Sequence, residues 1–323
     1  MHLCDLDATL NRRRALILGG SAVGGILAAA SPLVAGNRAA ADAARHASGG
    51  LPVDEIERIL QTDGTTMGGV LSLELSRKDL RVTGPHGIPV KPSWALDHEF
   101  HFQPVGGGSA ALNAELTVLE EEVEPVIDRL LDSRLVELTA IHNHLIQTRP
   151  VVQYVHYQGI GDPVALARVS IAAVRVTPTP LPQPAPKHPT TSLDTDALGS
   201  ILGAKPTVRD EGVVEVDIPR EDSVGVEGVT FHPEMAVQVM LMFEPLDGGR
   251  RAAVMAELPC VAGEVTPVAR TLREQGLAVT ALHHHEIGEK PQLYFMHAVG
   301  TGADVDLARR IARALDRMRL KRR

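Results

Sequence analysis

Disulfides are the first thing this chain cannot use. Its 323 residues include two cysteines, Cys4 and Cys260. Cys4 precedes a segment that reads as a removable leader, which leaves one thiol and no internal disulfide even in an oxidising compartment. Stability must come from ordinary cores, and the chain is long enough to bury two of them. Positive charge is also short. The formal charge is −8; residues 1–41 hold four arginines and two aspartates, a net +2, so the remainder is near −10. That argues against nucleic acid as a partner. The basic end, Arg317 to Arg323, reads as a solvated helix tail. Past the leader there is no apolar stretch long enough to span a membrane. Nor is there a nucleophile motif, a phosphate-binding glycine loop or a redox cysteine pair.

The leader itself is an address. Arg12, Arg13 and Arg14 precede an apolar run from Ala15 to Ala30, and Ala39-Ala40-Ala41 follows as a small-residue cleavage site. A basic segment, a short apolar run and small residues make a signal peptide. The consecutive arginines resemble a twin-arginine export signal. Residues 1–44 are therefore expected to be removed, placing the mature protein in the periplasm or outside the cell. An uncleaved anchor is the alternative. No cysteine follows the apolar run, so no lipid-attachment site is visible.

What the chain does have is one histidine pattern written twice. Residues 139–156 read TAIHNHLIQTRPVVQYVH and residues 280–297 read TALHHHEIGEKPQLYFMH, with seven of eighteen positions identical. Three of the seven are histidines: His142, His144 and His156 against His283, His285 and His297. An H-x-H pair on a strand points both rings to one face. A hairpin centred near residue 149 or 150 would set His156 opposite His142 or His144. Three imidazoles then converge, an arrangement suited to a divalent metal with an open position, zinc or copper. The alternatives are a metal-free polar site, or amphipathic strand residues with hydrogen-bond partners.

The repeat is longer than the histidines. Ala114-Glu115-Leu116 matches Ala256-Glu257-Leu258, Glu122-Val123 matches Glu264-Val265, and Gly159 and Gly161 match Gly300 and Gly302. Arg77-x-Asp79 pairs with Arg220-x-Asp222, and both read as surface turn pairs. Domains are expected over 51–176 and 193–323, joined by a Pro-rich linker at 177–192. In each, periodicity gives a short helix (Val53–Gln61; Asp196–Leu202), then period-two strands, one of them containing Trp94 to Phe102. An amphipathic helix over 121–133 follows, then two histidine strands and a last helix opening at Asp162-Pro163 or running from Asp304 to Leu320. The fold class is α+β: two similar tandem domains, each an antiparallel or mixed sheet with helices on one face. The other face is then free to carry histidines. Ile141, Leu145 and Val155, of opposite parity, read as core-facing; Asn143 and His284 share that parity, which a buried strand would resist. Related domains commonly associate about an approximate two-fold axis. A shared cleft flanked by Gly106-Gly107-Gly108 and Asp247-Gly248-Gly249 is expected.

On these residues the chain resembles the LppY/LpqO family of exported bacterial proteins. The resemblance rests on Ala114 through Glu122-Val123, Thr139 to His144, Tyr154-Val-His156 and Gly159 to Asp162. It rests equally on Thr280 to His285 and Tyr294-Phe-Met-His297 of the second copy. It implies export and tandem copies of one domain, and it carries no mechanism. Many members are lipoproteins, and this chain departs from them in lacking the cysteine.

Three functions compete. The first is a metal-binding protein of the cell envelope, with a three-histidine site in each copy. The second is a metalloenzyme using one such site to activate water or an oxygen-containing ligand, with Glu115 and Glu257 as carboxylates for acid–base work. The third is a non-catalytic module clamping a small ligand or partner between its domains. Asp97-His98-Glu99-x-His101, without a counterpart in copy two, reads as a solvated face; if functional, it makes copy one the active domain.

Overall fold

The computed structural model describes residues 50–183 and 189–322. The leader and its arginines lie outside the described residues, as do 184–188 of the linker. Among the described residues no helix is long and apolar enough to cross a membrane. The described residues belong to one compact unit.

Repeat one runs α1 (Val53–Leu60), β1 (Thr65–Met67), β2 (Val70–Ser76), a two-residue hairpin of β3 (Val82–Thr83) and β4 (Pro89–Val90), and α2 (Pro92–Ala95). It continues with β5 (Asp97–Gly106), β6 (Ser109–Leu119), α3 (Glu120–Leu131), β7 (Glu137–His142), β8 (Val152–Gly161) and α4 (Pro163–Val174). Repeat two runs α5 (Thr195–Leu202), β9 (Pro206–Val208), β10 (Val214–Ile218) and a small hairpin of β11 (Val224–Val226) and β12 (Val229–Phe231). Then come β13 (Val239–Leu246), β14 (Arg251–Val261), α6 (Ala262–Glu274), β15 (Ala278–His283), β16 (Leu293–Gly302) and α7 (Asp304–Leu315). Each repeat builds one six-stranded antiparallel sheet. The order β1-β2-β5-β6-β8-β7 is reproduced as β9-β10-β13-β14-β16-β15.

The elements start where local chemistry starts them. Asp162 caps α4 by accepting a 2.7 Å bond from the Ala165 amide, with Pro163 in the first turn. Asp194 caps α5 in the same way. Glu122 and Glu264 reach back to the amides of Leu119 and Val261 and close the first turns of α3 and α6. Gly159 is fixed by packing: a Cβ there would lie 2.7 Å from the Leu135 carbonyl oxygen, so only glycine lets β8 pass beneath that loop.

One face of each sheet carries the helices. Leu73, Phe100, Leu112 and Val155 pack against Ile56, Val126, Leu130 and Leu166 in repeat one. Val216, Leu241, Val254 and Met296 pack against Leu198, Val268, Leu272 and Ile311 in repeat two. The opposite faces are not free, as the sequence had suggested; they pack on one another. Trp94 and Tyr154 share a cluster with Met242, Met255 and Val299, and Val70 and Ala111 share another with Phe231 and Phe295. The result is four layers, helix–sheet–sheet–helix. This explains why β6 and β14 are buried on both faces and read as nearly unbroken runs of small and apolar residues.

Several expectations need correction. Trp94 is on the short helix α2, and the strand begins at Asp97. The histidine strands end at His142 and His283, so His144 and His285 belong to the loops that leave them. That removes the parity difficulty: Asn143 is only half-buried and His284 is exposed because neither lies in a strand. Ile141 is 47% exposed, and Leu145 is buried between the sheets rather than under the helices. In register, His142 faces Tyr154 and His156 faces Ala140. His156 is thus diagonal to His142, not opposite it, because the hairpin centre lies nearer residue 148 and a bulge interrupts β7 beside Thr139. The glycine loops terminate the β5–β6 and β13–β14 turns at the far strand ends, away from Glu115 and His156.

The Arg-x-Asp pairs are not surface turns. Arg77 is fully buried, with both guanidinium nitrogens on Glu122 at 2.8 and 2.9 Å, Asp79 at 2.9 Å and the Thr117 carbonyl at 2.7 Å. Arg220 repeats this with Glu264, Asp222 and the Pro259 carbonyl. Each arginine ties the end of one strand to the cap of the helix after another. The matched Glu122 and Glu264 in the sequence were the signal of it. The linker's first half is likewise packed: Thr177 and Thr179 are buried, and Thr179 meets His98.

Candidate functional site

The facing sheets bring all six repeat histidines into one cluster. His142 and His283 stack at the centre with ring centroids 3.4 Å apart. Around them, His144 lies 4.0 Å from His297 and His156 lies 4.2 Å from His285. Those near-equal distances follow an approximate two-fold relation between the repeats. It extends outward, with His144 stacked on Tyr154 at 3.6 Å and His285 on Phe295 at 3.5 Å. Phe295, not Tyr294, is therefore the counterpart of Tyr154; Tyr294 is on the other parity and 36% exposed.

The close neighbours of each ring come from the other repeat as much as from its own. Donor atoms within 4.8 Å of one another form three groupings among the described residues. One is Glu115, His142, His144 and His156, inside repeat one. The others are mixed: His144 with His283 and His297, and His156 with His283 and His285. The trio expected for copy one thus does come together, with Glu115, and the two mixed groupings join it to the trio of copy two in one cluster.

Glu115 and Glu257 occupy equivalent places in β6 and β14, directly across from His156 and His297. Glu115 Oε2 lies 2.7 Å from His156 Nε2 and 3.2 Å from His144 Nε2. Glu257 stands further off, 3.5 Å from His297 and 3.9 Å from His285. Each carboxylate spans one histidine of each mixed grouping. Burial raises the Glu115 carboxyl, but His144 and His156 beside it outweigh that and hold it well below the usual range. Glu257 goes the other way: burial, then Glu115 and Glu99, push it well above.

Four of the imidazoles are held neutral. Burial first, then the neighbouring rings, pushes His142, His285 and His297 down, and His283 down to about 2. Neutral rings keep a lone pair, which is what a metal ligand needs. Ten of the twelve ring nitrogens are buried without a hydrogen-bond partner, since even the short Glu115 contacts are off the hydrogen-bond direction. Orphaned polar atoms cost roughly 1–3 kcal/mol each. A packing role alone does not account for so many in one place.

The centre forms one wall of a chamber of about 420 Å³ between the sheets, reached by Glu115, His144, His156, Glu257 and His285. The Asp97–His101 segment, read as solvated, lines it too. Asp97, Glu99 and His101 face the chamber, while His98 points the opposite way into the helix-side core and is fully buried. His98 accepts from the Thr117 amide at 3.1 Å and meets Thr179 Oγ1 at 2.8 Å. Strand alternation split the motif between two environments.

A family model described as "Domain of Unknown Function (DUF1259)" matches twice, over residues 54–176 and 196–317. The chain belongs to that family. Both DUF1259 segments contain a full set of the histidines and the strand glutamate that build the centre. No curated protein matches. Among solved structures, "Crystal structure of a trimeric bacterial microcompartment shell protein PduB" matches at 10% identity, covering 80% of this chain and 94% of that one. Its TM-score is 0.22, too low to carry any argument about this DUF1259 protein.

Proposed function

We propose that this is an exported cell-envelope protein that binds divalent metal, zinc or copper, at a centre assembled by both repeats. The observation that carries the reading is the set of ten buried, partnerless imidazole nitrogens gathered beside two carboxylates. Imidazole with carboxylate suits zinc and copper. The two mixed groupings argue for two ions, one using His144 and His297 and the other His156 and His285, with His283 within reach of both. Glu115 and Glu257 each stand between the two. Export is supported by the arginine-led leader and by the resemblance to LppY/LpqO proteins.

Metal analysis of purified mature protein tests this. About two equivalents are expected. Because both proposed ion sites draw on the two repeats, replacing His142, His144 and His156 by alanine should remove nearly all the metal rather than half. Parent protein without metal, and without affinity for zinc or copper on titration, overturns the reading. Half-loss in the triple variant would restore a separate site in each copy.

A second reading is favoured by the chamber. A metal-storage site has no need of a cavity able to hold a small organic molecule beside it. A divalent ion there would supply Lewis acidity. Glu257, raised well above its ordinary range, would be a proton donor, and Glu115, held ionised, an acceptor. Turnover lost both in that triple variant and in the matching replacement of His283, His285 and His297 by alanine would establish that reading.

A further inference from the structure

The chamber has a second wall that the histidine centre does not use. Glu74 and Glu99 from repeat one and Glu215, Asp217 and Glu234 from repeat two line it, together with Asp97. Arg209 answers two of these, bridging Glu74 and Glu215. Lys78 sits at the rim, with a 40% exposed side chain 4.0 Å from Asp210. Acidic groups therefore outnumber basic ones along this wall.

A surplus of acid does not make a site by itself, and two acceptor atoms add the decisive observation. Asp97 is 6% exposed and Gln238 is 7% exposed. Both line the chamber, and Asp97 Oδ1 and Gln238 Oε1 are buried with no hydrogen-bond partner. The Gln238 amide is oriented by its nitrogen, which donates to Glu234 at 3.4 Å. Flipping it would set oxygen against carboxylate. Asp97 opens β5, and Gln238 stands just before β13, the same place in the other repeat. Two orphaned acceptors thus face one chamber from equivalent positions, and what they lack is a donor.

We infer that this chamber takes a small organic cation bearing protonated amine nitrogens, held between Asp97 and Gln238. An inorganic ion fits less well. Among the described residues, the groupings tight enough for one ion all belong to the histidine centre, and these carboxylates are spread along the wall. Methionines 240, 242 and 255 supply an apolar side for the methylene spacer of an amine. Burial, then the Glu74 carboxylate, pushes Asp97 well above its ordinary range, a strain that a bound ammonium relieves. The inference does not rest on the metal reading, since none of these residues belongs to that centre.

The test is calorimetric titration of the purified mature protein with 1,4-diaminobutane. Butane-1,4-diol and magnesium chloride at matched ionic strength serve as controls. Saturable binding of the diamine alone is expected. Asp97→Asn should weaken it by about tenfold or more, the loss expected for one charge-assisted hydrogen bond. Gln238→Leu should weaken it by a smaller factor, and metal content should match the parent in both variants. If Asp97→Asn does not fold, the parent's ligand series and Gln238→Leu decide. Equal binding of the diol, displacement by magnesium, unchanged affinity in the folded variants or absence of diamine binding at millimolar concentration each overturn the proposal. None of these outcomes bears on the histidine centre, whose own test is metal content.

Discussion

Repeat one and repeat two share a fold, six matched histidines and a matched glutamate, yet they differ strand by strand on the shared face. Along β5 and β6, repeat one places Glu99, His101 and Asn113 where β13 and β14 place Met240, Met242 and Met255. The helix-side core shows a second exchange. His98 in repeat one accepts the Thr117 amide, whereas the corresponding pair in repeat two is Val239 and Pro259. Proline has no amide to satisfy, so an apolar valine suffices. The duplication thus kept what both copies must do together and let each copy solve its own polar accounting. The asymmetry sets Glu99, His101 and Asn113 against three methionines across the chamber, a surface that two identical copies would not produce.

Three measurements would break or sharpen this comparison. The largest effect is expected where the repeats agree. Arg77→Leu and Arg220→Leu should each destabilise the protein by about 3–5 kcal/mol, because a buried Glu122 or Glu264 is left without its partner. Urea unfolding of the two variants would measure it, and a loss under 1 kcal/mol in either would show that these pairs are not structural anchors.

A smaller effect should separate the two glutamates. Glu115→Gln should lower zinc affinity by about 10–100-fold, and Glu257→Gln by less, since Glu115 is the closer to its histidines and is the one held ionised. Competition titration with a chromophoric chelator reads both. Equal losses would make the two sides of the centre equivalent.

The third effect belongs to repeat one alone. Burial, then Arg77, holds His98 down to about 3, whereas in an unfolded chain it titrates near 6.5. The unfolded chain then binds the extra proton, so this contribution to stability is complete above about pH 6.5 and is lost progressively as pH falls towards 3. Between pH 7 and 5 the loss is about 2 kcal/mol. His98→Val should flatten the slope by that amount. It should also cost roughly 1–3 kcal/mol at neutral pH, because the Thr117 amide is left unpaired. Adding Thr117→Pro, which copies repeat two, should recover part of that cost. An unchanged acid slope in His98→Val would remove His98 as its source.

The amino-acid sequence by itself determined the duplication, the α+β class, the helix starts at Asp162 and the histidine and glutamate positions. Each is a local matter, set by capping chemistry, strand period and residue identity within a short window. The sequence also carried Arg77 with Asp79, and Glu122 with Glu264, but not their meeting. A buried guanidinium and an exposed one are spelled alike until a strand and a helix cap converge on it. Tertiary structure alone decided that the histidine-bearing faces meet, because that depends on how two apolar sheet faces bury one another. It set His144 beside His297 instead of leaving each trio to itself, and it turned Asp97 and Glu99 from an apparently solvated run into the wall of a chamber. The physical reason is common to all of these. Alternation tells which side chains share a face, but only the packing of one face on another tells what that face will meet.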